Sequence, residues 1–211
     1  MGWFRKKPRV PANAPSWLIE HFEINRTKGT DFVVFDFETT GLNPEKDDIL
    51  SFAFLKVTNY SIAYYNSFEG YLNVAKEINS AEIHQLIQED INEGLNEEVF
   101  VQNVLEFIGN SILVGHHVDF DIACLNQLIL KHHGVKIQNK TLDTAKLAAR
   151  LENPLMSSYG GQKAFKGLDA LCNEYHISPE ARHSASGDTL TTAMLLLKLL
   201  KKAKKRGIKL V

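Results

Sequence analysis

Residues 32–42 read Phe32-Val33-Val34-Phe35-Asp36-Phe37-Glu38-Thr39-Thr40-Gly41-Leu42. Apart from Asp36, the stretch Phe32 to Phe37 is apolar and rich in Val and Phe, the composition of a strand buried on both faces. Asp36 and Glu38 lie two positions apart at its end, so the pleat sends both to one face of the sheet. Placing two carboxylates side by side there costs hydration and sets like charges against each other. A divalent cation removes that cost, and hard oxygen donors favour Mg²⁺ or Mn²⁺ over zinc. An isolated Asp-x-Glu is equally consistent with a strand emerging into solvent, so the rest of the chain must decide.

Working outward, Ile49 to Val57 reads as a second strand, Thr58-Asn59-Tyr60 as a turn and Ile62 to Leu72 as a third strand. Short connections make these an antiparallel meander. The period then changes to 3.6 residues. Asn79 with Glu82 forms a capping box for a helix through Ile83, Leu86 and Ile87, and Asn96 opens another carrying Phe100, Val101, Val104, Leu105 and Ile108. Ile112 to Gly115 is a short fourth strand. It is followed by a helix through Phe120, Cys124, Leu125, Leu128 and Ile129 that ends at Gly134. Lys140 to Leu142 reads as a fifth strand. Helices are then expected over Thr144 to Leu151, Gly167 to Tyr175 and about Ser186 to Lys202, with Ser157 to Lys166 as a loop. The fold class is α/β, a mixed five-stranded sheet with helices on its faces. Three segments divide the chain: a basic N-terminal arm with a short helix capped by Ser16 (1–30), the main domain (31–203) and a basic tail (204–211).

Lys plus Arg number 24 and Asp plus Glu 25, so the global charge does not advertise nucleic-acid binding. A carboxylate-rich metal site cancels a basic groove in that sum, and local charge matters more. Cys124 and Cys172 sit in apolar helical contexts without a Cys-x-x-Cys partner, which argues against a thiolate zinc site and suits a reducing compartment. No apolar run is long enough to span a membrane, and the basic start of the chain lacks the apolar region of a signal peptide. A cytoplasmic protein with no membrane association is expected.

Two further carboxylate motifs settle the ambiguity of the first. In His116-His117-Val118-Asp119-Phe120-Asp121, Asp121 opens a helix directly after a strand. In His183-Ser184-Ala185-Ser186-Gly187-Asp188, Asp188 opens the last long helix. Together with Asp36 through Leu42, these resemble the three motifs of the DEDDh family of 3′-5′ exonucleases, typified by the epsilon proofreading subunit of bacterial DNA polymerase III. The first motif, DxETTGL, matches throughout. The second, HNxxFD, matches at His116, Phe120 and Asp121 but has His117 where Asn is usual. The third, HxAxxD, matches at His183, Ala185 and Asp188.

The resemblance implies an RNase H-like sheet on which Asp36, Glu38, Asp121 and Asp188 hold two divalent ions, Mg²⁺ or Mn²⁺, for phosphodiester hydrolysis. It implies His183 as the base that takes a proton from water, a role suited to an imidazole titrating near neutrality. Thr39, Thr40, Ile83, His84 and Phe120 are the substrate contacts carried over by motif, although Phe120 is equally well explained as an ordinary core residue. The departure at His117 bears on substrate contact rather than on catalysis. Asp143-Thr144 is assigned structural support only. His132 and His133 precede Gly134 where a helix dipole favours histidine, His21 and His176 have no motif around them, and Glu89, Asp90, Glu93, Glu97 and Glu98 read as a solvated acidic face.

The expected partner is a nucleic-acid 3′ end, with DNA favoured and RNA trimming the alternative inside the same family. The short stretch after the last helix leaves no room for a long polymerase-binding segment and favours a stand-alone or recruited enzyme. A catalytically silent binding module would be marked by a lost ligand, and none of the five catalytic residues is lost. Trp3, Phe4, Trp17 and Phe22 provide an alternative route to a protein partner through the N-terminal arm. The lysine-rich tail is either solubilising or a phosphate contact whose effect would fade with salt.

Overall fold

A computed structural model of the chain describes residues 10–11, 14–24, 31–74, 91–153, 165–179 and 181–208. The expected capped helix around Asn79 and Glu82, with Ile83 and His84, lies outside the described residues. The described helices are α1 (Ser16–Ile24), α2 (Glu97–Ile108), α3 (Asp119–His133), α4 (Thr144–Glu152), α5 (Leu168–Tyr175) and α6 (Ala185–Lys205). The strands are β1 (Phe32–Thr39), β2 (Ile49–Thr58), β3 (Ser61–Tyr71), β4 (Ile112–Gly115) and β5 (Thr141–Asp143).

The strands form one sheet in the order β3-β2-β1-β4-β5. β1 pairs antiparallel with β2 and parallel with β4, while β3 continues the antiparallel half and β5 the parallel half. With helices on both faces, this is the mixed α/β arrangement of the RNase H-like fold. The hairpin between β2 and β3 turns through Asn59 and Tyr60 at φ 53° and 58°, the left-handed pair that matches the twist of the flanking strands.

Alternation along β1 divides the core in two. Phe35 and Phe37 join Phe52, Phe54 and Phe100 on one face, where Phe35 and Phe54 stack at 5.3 Å and Phe52 and Phe100 meet at 4.7 Å. Each fully buried Phe contributes on the order of 1.5–3 kcal/mol of transfer free energy. Val34, Leu55 and Val57 face the other way, onto Leu195, Leu196 and Leu199 of α6. Asp36 shares the face of Val34, so α6 is the element that brings its own carboxylate to it. Thr189 near the start of α6 donates to the Ala53 carbonyl at 3.3 Å and fixes that end over β2.

Helix ends follow the capping chemistry of the sequence. Asn96 accepts from the Val99 N–H at 2.9 Å, and Gly134 closes α3 in the left-handed region at φ 67°. At the start of α1 the boundary lies one residue earlier than expected: the helix includes Ser16, and the Pro15 carbonyl ahead of it accepts from Leu18 at 3.0 Å and Ile19 at 3.3 Å. Proline cannot donate, so it serves as a terminus at no cost in lost hydrogen bonds. Leu18 and Phe22 are buried in the aromatic half of the core, so α1 packs on the main domain. His21 is also buried, and burial pushes its imidazole below the ordinary value. Glu97 does not belong to a purely solvated face, because it pairs with Lys131 at 2.5 Å and His132 at 2.8 Å across from α3.

Candidate metal centre

The site forms where the carboxyl end of β1 meets the amino ends of α3 and α6. Ligand oxygens of Asp36, Glu38 and Asp188 all lie within 4.8 Å of one another. Among the described residues, this is the group of acidic or thiol side chains that could hold a metal ion. Burial holds the Asp36 carboxyl well above the usual range, and repulsion from Asp121, Asp188 and Glu38 adds to it, with Arg182 opposing. Glu38 is raised by burial and by Asp188, partly offset by His183 and Arg182. A set of hard oxygen donors that resists shared negative charge is a set that a divalent cation would stabilise.

Asp121, the fourth expected carboxylate, is buried beside this group without joining the 4.8 Å set. It accepts from its own backbone N–H and from that of Phe37, yet burial pushes it up to about 7. His183 is exposed and close enough to Glu38 to oppose the rise in its pKa. The loop that carries it is unusual: Ala181 and His183 adopt φ 47° and 64°, conformations that cost non-glycine residues of order 1 kcal/mol or more each. Ser184 ties the loop down by donating to the Ala181 carbonyl at 2.6 Å and accepting from the Gly187 N–H at 3.2 Å.

Thr39 ends β1 and Thr40 opens a loop organised by Asp47, a residue not singled out in the sequence because one acid in Glu45-Lys46-Asp47-Asp48 carries no distinguishing pattern. The Asp47 carboxylate accepts from the Asn43 N–H at 2.7 Å and from the Thr40 hydroxyl at 3.3 Å, and Thr39 donates to the Gly41 carbonyl at 2.6 Å. A Cβ on Gly41 would stand 2.5 Å from the Asp47 carboxylate, so glycine there serves the loop's own packing. Phe120 packs against the aromatic half of the core.

The second motif is built around Gly115, where a Cβ would lie 2.8 Å from Val118 and 3.4 Å from the Phe35 carbonyl. The next turn puts His117 at φ 60°. Asn, Asp and His are the non-glycine residues most enriched in that region, so the backbone there accommodates His as it would Asn. His116 hydrogen-bonds Thr144 at 2.9 Å, and Thr144 donates to the Gly115 carbonyl at 3.2 Å. Burial, then the neighbouring His117, depresses the His116 imidazole to about 4, which keeps it neutral at pH 7. Asp143 caps α4 by accepting from Ala145 at 2.8 Å and Lys146 at 3.2 Å, the structural part assigned to this pair.

Arg182 was also missed, although it stands directly before His183. Its Nε donates to Asp169 at 2.6 Å and its Nη1 donates to Asp188.

Comparison with known proteins agrees with this geometry. A curated relative from Bacillus subtilis, "DNA polymerase III PolC-type", is 35% identical over 181 residues, and its counterpart from Thermotoga petrophila is 32% identical over 179. Each match takes in 84% of this chain but only 12% of the relative, so the chain spans about an eighth of those proteins. Among solved structures, Escherichia coli exonuclease I in complex with a dT13 oligonucleotide superposes with a TM-score of 0.61 at 16% identity, covering 84% of this chain and 42% of that one. A zinc-bound form of that enzyme with single-stranded DNA gives 0.63 at 18% identity, covering 83% and 41%. These two likenesses speak for the fold. The family model of RNase_T, described as "Exonuclease", matches residues 33–196, and the chain belongs to that exonuclease family.

Proposed function

We propose that this domain is a metal-dependent 3′-5′ exonuclease that hydrolyses phosphodiester bonds at DNA ends, in proofreading or repair, and releases nucleoside 5′-monophosphates. The observation that carries the reading is the convergence of Asp36, Glu38 and Asp188 within 4.8 Å beside His183. The names of the matched relatives, a DNA polymerase and an exonuclease solved with DNA, favour DNA as substrate.

Asp36, Glu38, Asp121 and Asp188 would hold two divalent ions, Mg²⁺ or Mn²⁺, which when bound supply charge stabilisation for the phosphoryl group and a more acidic water. His183 takes the proton of the attacking water, a contribution typically of about 10²- to 10⁴-fold in rate. The oxygen of that water bonds to phosphorus as the bond to the 3′ oxygen breaks. Thr39 and Thr40, presented by the loop around Asp47, meet the terminal nucleotide together with Phe120 and, on the segment outside the described residues, Ile83 and His84. The catalytic unit spans residues 31–203, with residues 1–30 as an arm and 204–211 as a basic tail. Phe22 is buried in the core and Trp17 packs against it, so these two are taken up by the domain and a route to a protein partner would fall to Trp3 and Phe4. Among the described residues no helix is long and apolar enough to cross a membrane. The two buried free cysteines support a cytoplasmic setting.

The deciding experiment degrades 5′-labelled single-stranded DNA and the matching RNA with Mg²⁺ or Mn²⁺, beside Asp36→Ala and EDTA controls. A ladder shortening from the 3′ end, abolished by both controls and faster on DNA, is the expected result. Cleavage of neither polymer by folded, metal-loaded protein would overturn the reading in favour of a silent binding module, and faster cleavage of RNA would reassign the substrate.

A further inference from the structure

Arg182 links the amino-terminal ends of two helices that also meet further along, where Lys202 of α6 donates to the Tyr175 hydroxyl of α5 at 2.8 Å. Its side chain is 19% exposed and bridges Asp169 on α5, 64% exposed, to Asp188 on α6, 14% exposed. The two contacts use different nitrogens, so one guanidinium serves both acids at once. The inner contact falls on Oδ1 of a carboxylate that belongs to the three-residue metal cluster. The outer contact lies at the protein surface, out of the 4.8 Å group.

A guanidinium stays charged at any working pH, so it behaves at Asp188 as a cation in competition with any other cation. The outer acid changes the terms of that competition. An arginine with no second partner would lose its only ion pair on leaving Asp188, whereas this one remains anchored on Asp169. The flanking residues restrict where it can go, because Ala181 and His183 both hold left-handed backbone and Ser184 ties the loop to α6.

Building on the metal reading of the cluster, we propose that Arg182 is the resident counter-ion of Asp188, released onto Asp169 when a divalent ion enters, so that the Arg182–Asp169 pair sets the metal affinity. Arg182 is on this account a positioning residue. It neutralises Asp188 in the metal-free protein, keeps the His183 loop docked and yields the ligand oxygen to the ion.

The two partners then have opposite effects, which a merely structural role would not produce. Mn²⁺ binding is measured by titration calorimetry on the full chain, with circular dichroism and thermal melting in EDTA as folding controls. Arg182→Met removes the competing cation, so Mn²⁺ should bind about five-fold tighter or more, the lower end of coupling between linked ligands. The same variant should melt lower than the wild type in EDTA and gain more from Mn²⁺. Asp169→Asn removes the outer anchor and leaves the guanidinium on Asp188, so Mn²⁺ should bind about five-fold more weakly. Equal or weaker binding by folded Arg182→Met overturns the proposal. Should that variant not fold, equal or tighter binding by Asp169→Asn does the same. A wild type that binds Mn²⁺ while the variants fail to move in opposite directions refutes this inference alone. A wild type that binds no Mn²⁺ refutes the metal reading and this inference with it.

Discussion

Replacing Asp121 with Asn should make the metal-free protein more stable, and by an amount that depends on pH. Asp121 is 5% exposed, and its carboxyl is pushed from the ordinary 3.8 up to about 7 by burial, with Glu38 and Asp143 adding to the rise. Between those two values the folded state keeps a proton that the unfolded chain releases. Stability therefore falls as pH rises through the window from about 4 to about 7, and the penalty is complete above it. At about 1.4 kcal/mol per pH unit, a rise of about three units amounts to about 4 kcal/mol. Asn keeps an oxygen to accept the Phe37 N–H and carries no charge, so Asp121→Asn recovers most of that energy at pH 8 and little at pH 4. For a chain of this size, 4 kcal/mol corresponds to about 8–16 °C in melting temperature. Urea unfolding in EDTA at pH 4.5 and pH 8 measures it. A variant less stable than the wild type at pH 8, or a gap that ignores pH, would refute the account of Asp121 as a buried, electrostatically crowded carboxylate.

Three further expectations follow from named contacts. Gly115→Ala drives a methyl group into Val118 and should cost about 1–3 kcal/mol, read as a lower melting temperature without a change in helix content. Asp47→Ala releases the Asn43 N–H and the Thr40 hydroxyl and should raise KM about five-fold with kcat nearly kept, since about 1 kcal/mol of uniform binding is lost; a fall in kcat alone would be the contrary result. Burial, with Asp121 adding, pushes the Cys124 thiol up to about 12, and burial raises Cys172 as well. Both should react with a disulfide reagent at pH 8 at least about a hundred-fold more slowly folded than in urea, and fast labelling of the native protein would contradict the packing.

The sheet was legible because each strand announced itself twice, by composition and by its flanking turn. Ile112–Gly115 has no length to spare, yet its four apolar residues between Asn110-Ser111 and His116 leave little else for it to be. The carboxylate cluster was legible for a different reason: paired carboxylates are costly at the end of an apolar strand, and two further motifs place a carboxylate in the first turn of a helix. What stayed hidden were the residues whose role depends on a neighbour distant in sequence. Arg182 reads as one more surface arginine until α5 brings Asp169 to it across 13 positions. Glu97 reads as one of several acids until Lys131 and His132 arrive from α3. His117 stands where Asn is usual, and its backbone at φ 60° is a geometry that the sequence pattern alone did not disclose.

The central place of β1 also bears on the order in which the molecule assembles. β1 finds β2 across a short connection, but its parallel partner β4 lies 80 positions away, with Phe32 opposite Ile112. Closing that loop costs chain entropy before any pairing repays it, so the antiparallel half can form well before the parallel half. Asp36 and Glu38 belong to the early half, while Asp188 arrives on the last helix of the chain. During refolding, the capacity to bind a divalent ion should therefore return after most of the secondary structure. A bound ion would then act on the final step, favouring the docking of the late segments onto a sheet whose first half is already in place.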